Sequence, residues 1–264
     1  MKLKELSQKY KRYFNQNTFN FIIKVLYNVD NIFLEENKEV EDKISLFLKD
    51  FLNGKPIEYL LNSAYFFHNY FYVNQNVLLP EDETEELVLE VIKEVKNKHL
   101  KGVDIGTGSG CIAITLKREL GDEIIASDIS KEALDVFKIN RGDLDIPMYQ
   151  GDALKPLISN NIKVDYIVSN PPYISKDDQE VAKSVDDYYP HIALYADNNG
   201  LEVYESILKD ALKVLNLPGY IFFEIGYNQG ESLKSLANKY LTNCQIDVIK
   251  DINGHDRIVK IKVD

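Results

Sequence analysis

The stretch Val103-Asp104-Ile105-Gly106-Thr107-Gly108-Ser109-Gly110-Cys111-Ile112-Ala113-Ile114 decides the fold. A short β-prone run stops at three glycines on alternate positions and passes at once into a helix-forming run. Glycine at such a junction lets the backbone turn sharply and lets a ligand approach the carboxyl edge of a sheet. Strands are expected here near 101–105 and then near 123–127, 146–149, 163–169 and 219–225, alternating with helices near 110–120, 130–141, 200–216 and 229–241. Alternation of this kind predicts an α/β fold built on a doubly wound, mostly parallel sheet. Two further β segments, 244–251 and 256–263, flank the turn Asn253-Gly254-His255 and predict an antiparallel pair that completes seven strands.

Upstream the pattern changes. Asp82, with Glu85 three residues later, predicts an N-capped helix running to about Asn97. The aromatic segments Tyr65-Phe66-Phe67 and Tyr70-Phe71-Tyr72-Val73, about His68-Asn69, read as a β-hairpin whose rings pack between two units rather than stack nucleic-acid bases. Residues 2–53 carry helical periodicity in three pieces, 2–14, 18–28 and 38–52, with Ile44, Phe47, Leu48 and Phe51 on one face of the last and Gly54 as its stop. The expected organisation is a helical domain with its hairpin linker over 1–75 and an α/β domain over 76–264.

A chain of 264 residues with 45% hydrophobic content buries a sizeable core. Its 31 basic and 42 acidic residues leave a net charge of −11, which argues against a surface built to grip phosphate backbones, so no stable nucleic-acid partner is expected. Cys111 and Cys244 are the only cysteines, which implies no disulfide framework and a reducing, cytoplasmic setting. No apolar stretch is long enough to span a bilayer. His68, His99, His191 and His255 are too scattered for a metal site. Cys111 stands at a helix start, where a thiol can be activated, but Ile112, Ala113 and Ile114 beside it point to packing.

Three ligand classes compete for the glycine loop. A phosphate-binding P-loop is excluded, because Gly110 is followed by Cys111 and Ile112 rather than by Lys and Ser or Thr. The dinucleotide fingerprint G-x-G-x-x-G fits Gly106 and Gly108, but its third glycine falls at Cys111. The mismatch favours the methyl donor S-adenosylmethionine, and Asp104 with Gly106, Gly108 and Gly110 resembles the first motif of class I methyltransferases. Thr107 and Ser109 complete that candidate cofactor loop. Asp128, ending the second strand about 20 residues on, has the position of a carboxylate that accepts hydrogen bonds from both ribose hydroxyls; Ser130 is better placed to cap the helix that follows. At the end of the third strand, Asp152 and Ala153 would approach the adenine.

Asn170-Pro171-Pro172-Tyr173 ends the fourth strand on the same rim, where Asn170 would lie beside the donor methyl and join the cofactor-binding residues. An amide or amino-adenine nitrogen is a poor nucleophile because its lone pair is delocalised, so an enzyme must hold the NH2 with acceptors that help it pyramidalise. Asn170 offers a side-chain carbonyl, Pro171 a backbone carbonyl without an N–H, the paired prolines stiffen the chain, and Tyr173 supplies a flat face. The tetrapeptide looks like the active-site signature of methyltransferases that act on such nitrogens.

Several short matches in order narrow the resemblance: Gly54 to Tyr59, Val77 to Pro80 with Glu83-Thr84-Glu85, the glycine loop, Ile167 to Ile174, Gly200-Leu201 with Tyr204, Glu224-Ile225-Gly226, and Gly254 to Arg257. From about Gly54 onward the chain is similar to the peptide-chain release factor glutamine methyltransferases, the HemK/PrmC family. The resemblance implies a class I S-adenosylmethionine-dependent methyltransferase fold with a small N-terminal helical domain, and a release factor as the protein partner. It implies methyl transfer to the side-chain amide of the glutamine in that factor's Gly-Gly-Gln tripeptide. Asn170 and the Pro171 carbonyl would hold the amide, Tyr173 would pack on its plane, and Gly106 to Gly110, Asp128 and Ala153 would hold the cofactor. Two other substrates are compatible with the motifs: adenine in DNA or RNA, and a glutamine of a ribosomal protein. One departure stands out. The family usually has arginine after the proline at position 80, where this chain has Glu81.

Overall fold

A computed structural model describes residues 1–178 and 182–264. The chain passes from helices to sheet at the hairpin Ala64–Phe66 (β1) and Asn69–Phe71 (β2), which pair antiparallel. The two turn residues are Phe67 and His68, with φ of 45° and 64°, so the turn lies one residue earlier than His68-Asn69. Two positive φ angles match a tight hairpin to the twist of its strands. A phenylalanine is held in that conformation because the Glu85 carboxylate accepts its N–H at 2.6 Å.

The same contact undoes the expected cap on the next helix. Asp82–Val95 starts from Glu81 with no side-chain cap, Asp82 lies inside its first turn, and Glu85 is spent on Phe67. Asp82, Glu83 and Glu85 still favour the positive end of the helix dipole.

The main strands follow as Gly102–Ile105 (β3), Ile124–Asp128 (β4), Met148–Gln150 (β5) and Val164–Ser169 (β6). A small parallel pair, Ile174–Ser175 (β7) and Tyr195–Ala196 (β8), comes next. Leu215–Glu224 (β9), Cys244–Lys250 (β10) and Asp256–Val263 (β11) complete the chain. The seven-stranded sheet has the order β10-β11-β9-β6-β3-β4-β5. Its members from β5 to β9 are parallel, while β11 runs antiparallel to both β9 and β10. The doubly wound, mostly parallel expectation therefore holds. The strand order reverses between β3 and β6, which opens a crevice at their carboxyl ends. Both the glycine loop and Asn170 leave the sheet there.

Alternation along the strands buries both faces. Ile105, Ile125, Ile167 and Ile221 face one cluster, against the helices Glu202–Val214 and Gly230–Tyr240. Ala126, Tyr166, Val168 and Phe222 face the other, with Phe66, Phe71 and the helices Asp82–Val95 and Cys111–Leu120.

Helices Leu3–Tyr10 and Gln16–Tyr27 share a third cluster, in which Leu3, Leu6, Ile22, Ile23 and Ile44 are fully buried. The helix expected over 38–52 shrinks to a 3₁₀ turn, Ile44–Leu46, and the short helix Leu48–Leu52. Residues before it pair with the start of the chain instead: Leu3 N–H donates to the Lys38 carbonyl and Val40 N–H to that of Met1, both at 2.9 Å. Phe21 of the second helix stacks on Tyr70 of the hairpin, with centroids 6.3 Å apart, and Tyr59, Val73, Val77 and Leu79 pack on Ala133 and Val136. Among the described residues no helix is long and apolar enough to cross a membrane.

Candidate active site

The glycine loop is fixed from two strands. Asp104, fully buried at the end of β3, accepts the Thr107 hydroxyl at 2.7 Å and the Ala113 N–H at 3.2 Å on the same oxygen. Asp128, at the end of β4, accepts the Gly108 N–H at 2.9 Å and the Ser130 N–H at 2.8 Å. The Ser130 hydroxyl in turn accepts from Ala133 N–H, so it caps the following helix as expected. Burial pushes the Asp104 carboxyl up to about 7. It also raises Asp128, against backbone hydrogen bonds that favour its charged form.

Two glycines in the loop have different jobs. Gly106, at φ 72°, faces open space where an added Cβ would meet nothing within 4 Å. Gly110, at φ 85°, would put a Cβ 2.5 Å from the ring of Phe137, so it is needed for close packing of the loop on a neighbouring helix.

A cavity of about 370 Å³ lies over this loop. It brings together Gly106, Thr107, Gly108, Ser109, Asp128, Asp152, Ala153, Asn170, Pro171 and Pro172 from the sequence-predicted set. Gly110 does not line the cavity. Asp152 is half-exposed and ion-paired with Lys155, while Ala153, which also lines the cavity, holds a left-handed φ of 47°. Cys111 also lines the cavity, and burial pushes its thiol up to about 12, the opposite of an activated thiolate.

Tyr173 is found on the other side of Asn170. A second cavity, of about 250 Å³, is lined by Tyr173, Glu81, Ile174, Val185, Tyr189 and Leu194, and shares Leu78, Asn170, Pro171 and Ala193 with the first. Asn170 and Pro171 therefore stand in the wall between two chambers. The backbone here is braced on both flanks: Ser169 Oγ donates to the Ile105 carbonyl at 2.6 Å, and Gln229 Nε2 donates to the Tyr173 carbonyl at 3.0 Å. Asn170 Nδ2 donates to Thr84 Oγ1 at 3.1 Å, while its Oδ1 is buried with no partner among the described residues. Burial and the neighbouring Glu83 raise the Glu81 carboxyl, opposed by the Arg257 guanidinium. Burial likewise raises the Tyr173 phenol.

The model for the methyltransferase small domain matches residues 80–186, which holds both the glycine loop and Asn170 to Tyr173. The release factor glutamine methyltransferase of Staphylococcus aureus is 46% identical over 224 residues, covering 83% of this chain and 80% of that protein. That of Enterococcus faecalis is 39% identical over 228 residues, covering 85% and 82%. The chain belongs to the release factor glutamine methyltransferase family. A methyltransferase from Pyrococcus furiosus superposes with a TM-score of 0.56 over 83% of this chain and 98% of its own, at 17% identity, which supports the class I fold alone.

The donor of this methyltransferase is S-adenosylmethionine, and the residues present fit it. A ribose diol needs an acceptor pair, which the Asp128 carboxylate can offer with the lone pairs left by its two backbone bonds. A flat base needs apolar walls, here Ile129, Ala153 and Ile192. Close approach to the backbone needs the open face of Gly106. Three contributors carry no role in the sequence reading: Thr84, Glu224 and Gln229. Thr84 and Glu224 lie in segments that match the family, and that was the one signal for them. Gln229 had none.

Proposed function

We propose that this chain transfers the methyl group of S-adenosylmethionine to the side-chain amide nitrogen of the glutamine in the Gly-Gly-Gln tripeptide of a peptide-chain release factor. The observation that carries the reading is Asn170 Oδ1: a buried acceptor without a partner among the described residues, in the wall between the cavity over the glycine loop and the one lined by Tyr173. A buried unpaired acceptor is costly unless a ligand completes it. An amide NH2 supplies the missing donor, and two glycines before it let the peptide backbone approach a narrow opening.

When bound, S-adenosylmethionine supplies an electrophilic methyl on a sulfonium centre. Asn170 Oδ1 and the Pro171 carbonyl hold the two N–H groups of the target amide, which draws the nitrogen lone pair out of conjugation. Tyr173 packs on the amide plane, and Gly106 to Gly110, Asp128, Asp152 and Ala153 hold the donor. Orientation in a dry site supplies most of the rate. No dedicated base is required, because a methylated, positively charged amide nitrogen is strongly acidic and gives its proton to water. Residues 1–75 act as the helical recognition domain with its linker and 76–264 as the catalytic domain, in the cytoplasm where release factors work.

The names of the relatives favour this reading over adenine in DNA or RNA and over a ribosomal protein, and the net charge of −11 disfavours a nucleic-acid substrate. The test is transfer of labelled methyl to purified release factor, to the factor with its Gly-Gly-Gln glutamine replaced, and to DNA and RNA. Labelling of the intact factor alone supports the proposal. Labelling of nucleic acid with the factor untouched overturns it.

A further inference from the structure

Asn170 has to be held the right way round. Its side chain is a fork with an acceptor on one tine and two donors on the other, and a half-turn about the last bond exchanges them. Only one orientation sets an acceptor before a substrate NH2. Asn170 Nδ2 donates to Thr84 Oγ1 at 3.1 Å, and Thr84 Oγ1 donates to Glu224 Oε2 at 2.7 Å. A hydroxyl has a single proton. Once Thr84 commits it to Glu224, only lone pairs remain to face Asn170, and these accept solely from its NH2 group.

We propose that Thr84 and Glu224 are positioning residues, a two-link relay that sets the Asn170 amide with its carbonyl toward the methyl acceptor. The inference rests on the reading of Asn170 as the amide clamp. Glu224 is fully buried at the end of β9, outside both cavities, and its Oε1 has no partner among the described residues. Thr84 is buried in the first turn of the helix Asp82–Val95. When ionised, this carboxylate is an acceptor only, so it dictates the direction of the Thr84 proton.

Protonation reverses the argument. A neutral Glu224 can donate to Thr84 Oγ1, which frees the Thr84 proton to turn to Asn170 Oδ1 and flips the amide. Burial pushes the Glu224 carboxyl up to about 8. Glu81 and Glu83 before and within the first turn of the helix raise it, while Arg257 at the start of β11 opposes them. The other titratable groups around it are Tyr173 after β6, Tyr204 on the helix Glu202–Val214, whose hydroxyl donates to the Glu224 carbonyl, and Cys111 on the helix after the glycine loop. The aligned fraction of Asn170 therefore rises as pH climbs through the Glu224 titration, and turnover rises with it.

The experiment compares the wild-type enzyme with Thr84→Val, Thr84→Ser and Glu224→Gln. Expected are a fall in kcat of about 10- to 100-fold for Thr84→Val, recovery of most of it by Thr84→Ser, and loss of the rise in kcat between pH 7 and 9 in Glu224→Gln. Binding of S-adenosylmethionine by calorimetry should be unchanged in Glu224→Gln, because Glu224 lies outside both cavities; Thr84 lines the cavity over the glycine loop, so its two variants are judged by kcat at saturating donor. A second readout needs no turnover: the side-chain NH2 resonances of Asn170 should titrate with Glu224 in the wild type and stop doing so in Thr84→Val. Wild-type kcat in Thr84→Val, equal losses in the valine and serine variants, or an unaltered pH profile in Glu224→Gln each overturn the relay. Absence of transfer to release factor, with the NH2 titration intact, overturns the substrate reading and leaves the relay standing.

Discussion

Two carboxyl groups lie fully buried under the same sheet edge, Asp104 at the end of β3 and Glu224 at the end of β9, and each leaves one oxygen without a partner among the described residues. Their surroundings differ. Asp104 is bonded to Thr107 and Ala113, three and nine residues away, and what it holds is the loop that grows out of its own strand. Glu224 is bonded to Thr84, 140 residues away, which is bonded in turn to Asn170 after another 86. The donor side of the crevice is thus a largely local device, a loop held by its own strand and helix through Asp104 and by the adjacent strand through Asp128, with several hydrogen bonds. The acceptor side is assembled from three distant segments joined by single bonds, with Asn170 Oδ1 buried and without a partner among the described residues. Redundant local bonding suits a cradle that must be preformed; a single-file relay suits a group whose direction matters more than its place.

The largest effect expected from this contrast is at Asn170. Asn170→Ala should lower kcat on release factor by about 100- to 1,000-fold, the usual cost of deleting one preorganised polar group. The dissociation constant for S-adenosylmethionine should change little, because the cradle is braced independently through Asp104 and Asp128. Loss of donor binding along with turnover, measured by calorimetry and single-turnover kinetics, would show that the two sides are not separable.

A second test probes the local device by its charge. The Asp104 carboxyl is raised in the folded protein from an ordinary value of 3.8 to about 7. The folded state therefore binds more protons than the unfolded chain across that interval. The stability tied to this proton is fully present below about pH 4 and is lost as pH rises through 7, at up to about 1.4 kcal/mol per pH unit. Asp104→Asn removes this dependence. Relative to the variant, wild-type stability in urea should decline from pH 4.5 to 7.5; parallel curves would mean that Asp104 is already ionised when folded.

The same contrast explains what could be read from the residues alone. The seven strands, the glycine loop, Asp128 and the Ser130 cap were legible because each signal lies within a few residues of its consequence. Asn170 was legible through its prolines and the apolar strand before it. The relay was not: Thr84 is one acceptable helix-start residue among several, and Glu224 ends a strand as any carboxylate might, until the fold brings them within hydrogen-bond reach. Where local expectation failed, a distant partner had won. Glu85 left the helix cap for the N–H of Phe67, and residues 38–40 left a helical pattern for the start of the chain. The place of Glu81 was likewise hidden: from sequence it is a charge reversal, and in the fold it is a half-buried wall of the second cavity under the influence of Arg257.

The smallest expected effect separates two glycines within the local device. Both have positive φ, so alanine at either carries a backbone cost of about 1 to 2 kcal/mol. Gly110→Ala must also move Phe137, which a Cβ would approach to 2.5 Å, whereas Gly106→Ala meets nothing within 4 Å. Gly110→Ala should therefore lower Tm by several degrees more than Gly106→Ala, on a scale of about 2 to 4 °C per kcal/mol for a chain of this class. Donor affinity should rank the other way. The methyl group added by Gly106→Ala would project into the cavity that Gly106 lines, while Gly110 does not line it. Scanning fluorimetry with and without S-adenosylmethionine reads both quantities, and an equal loss of donor binding in the two variants would mean that the loop responds as one rigid body rather than glycine by glycine.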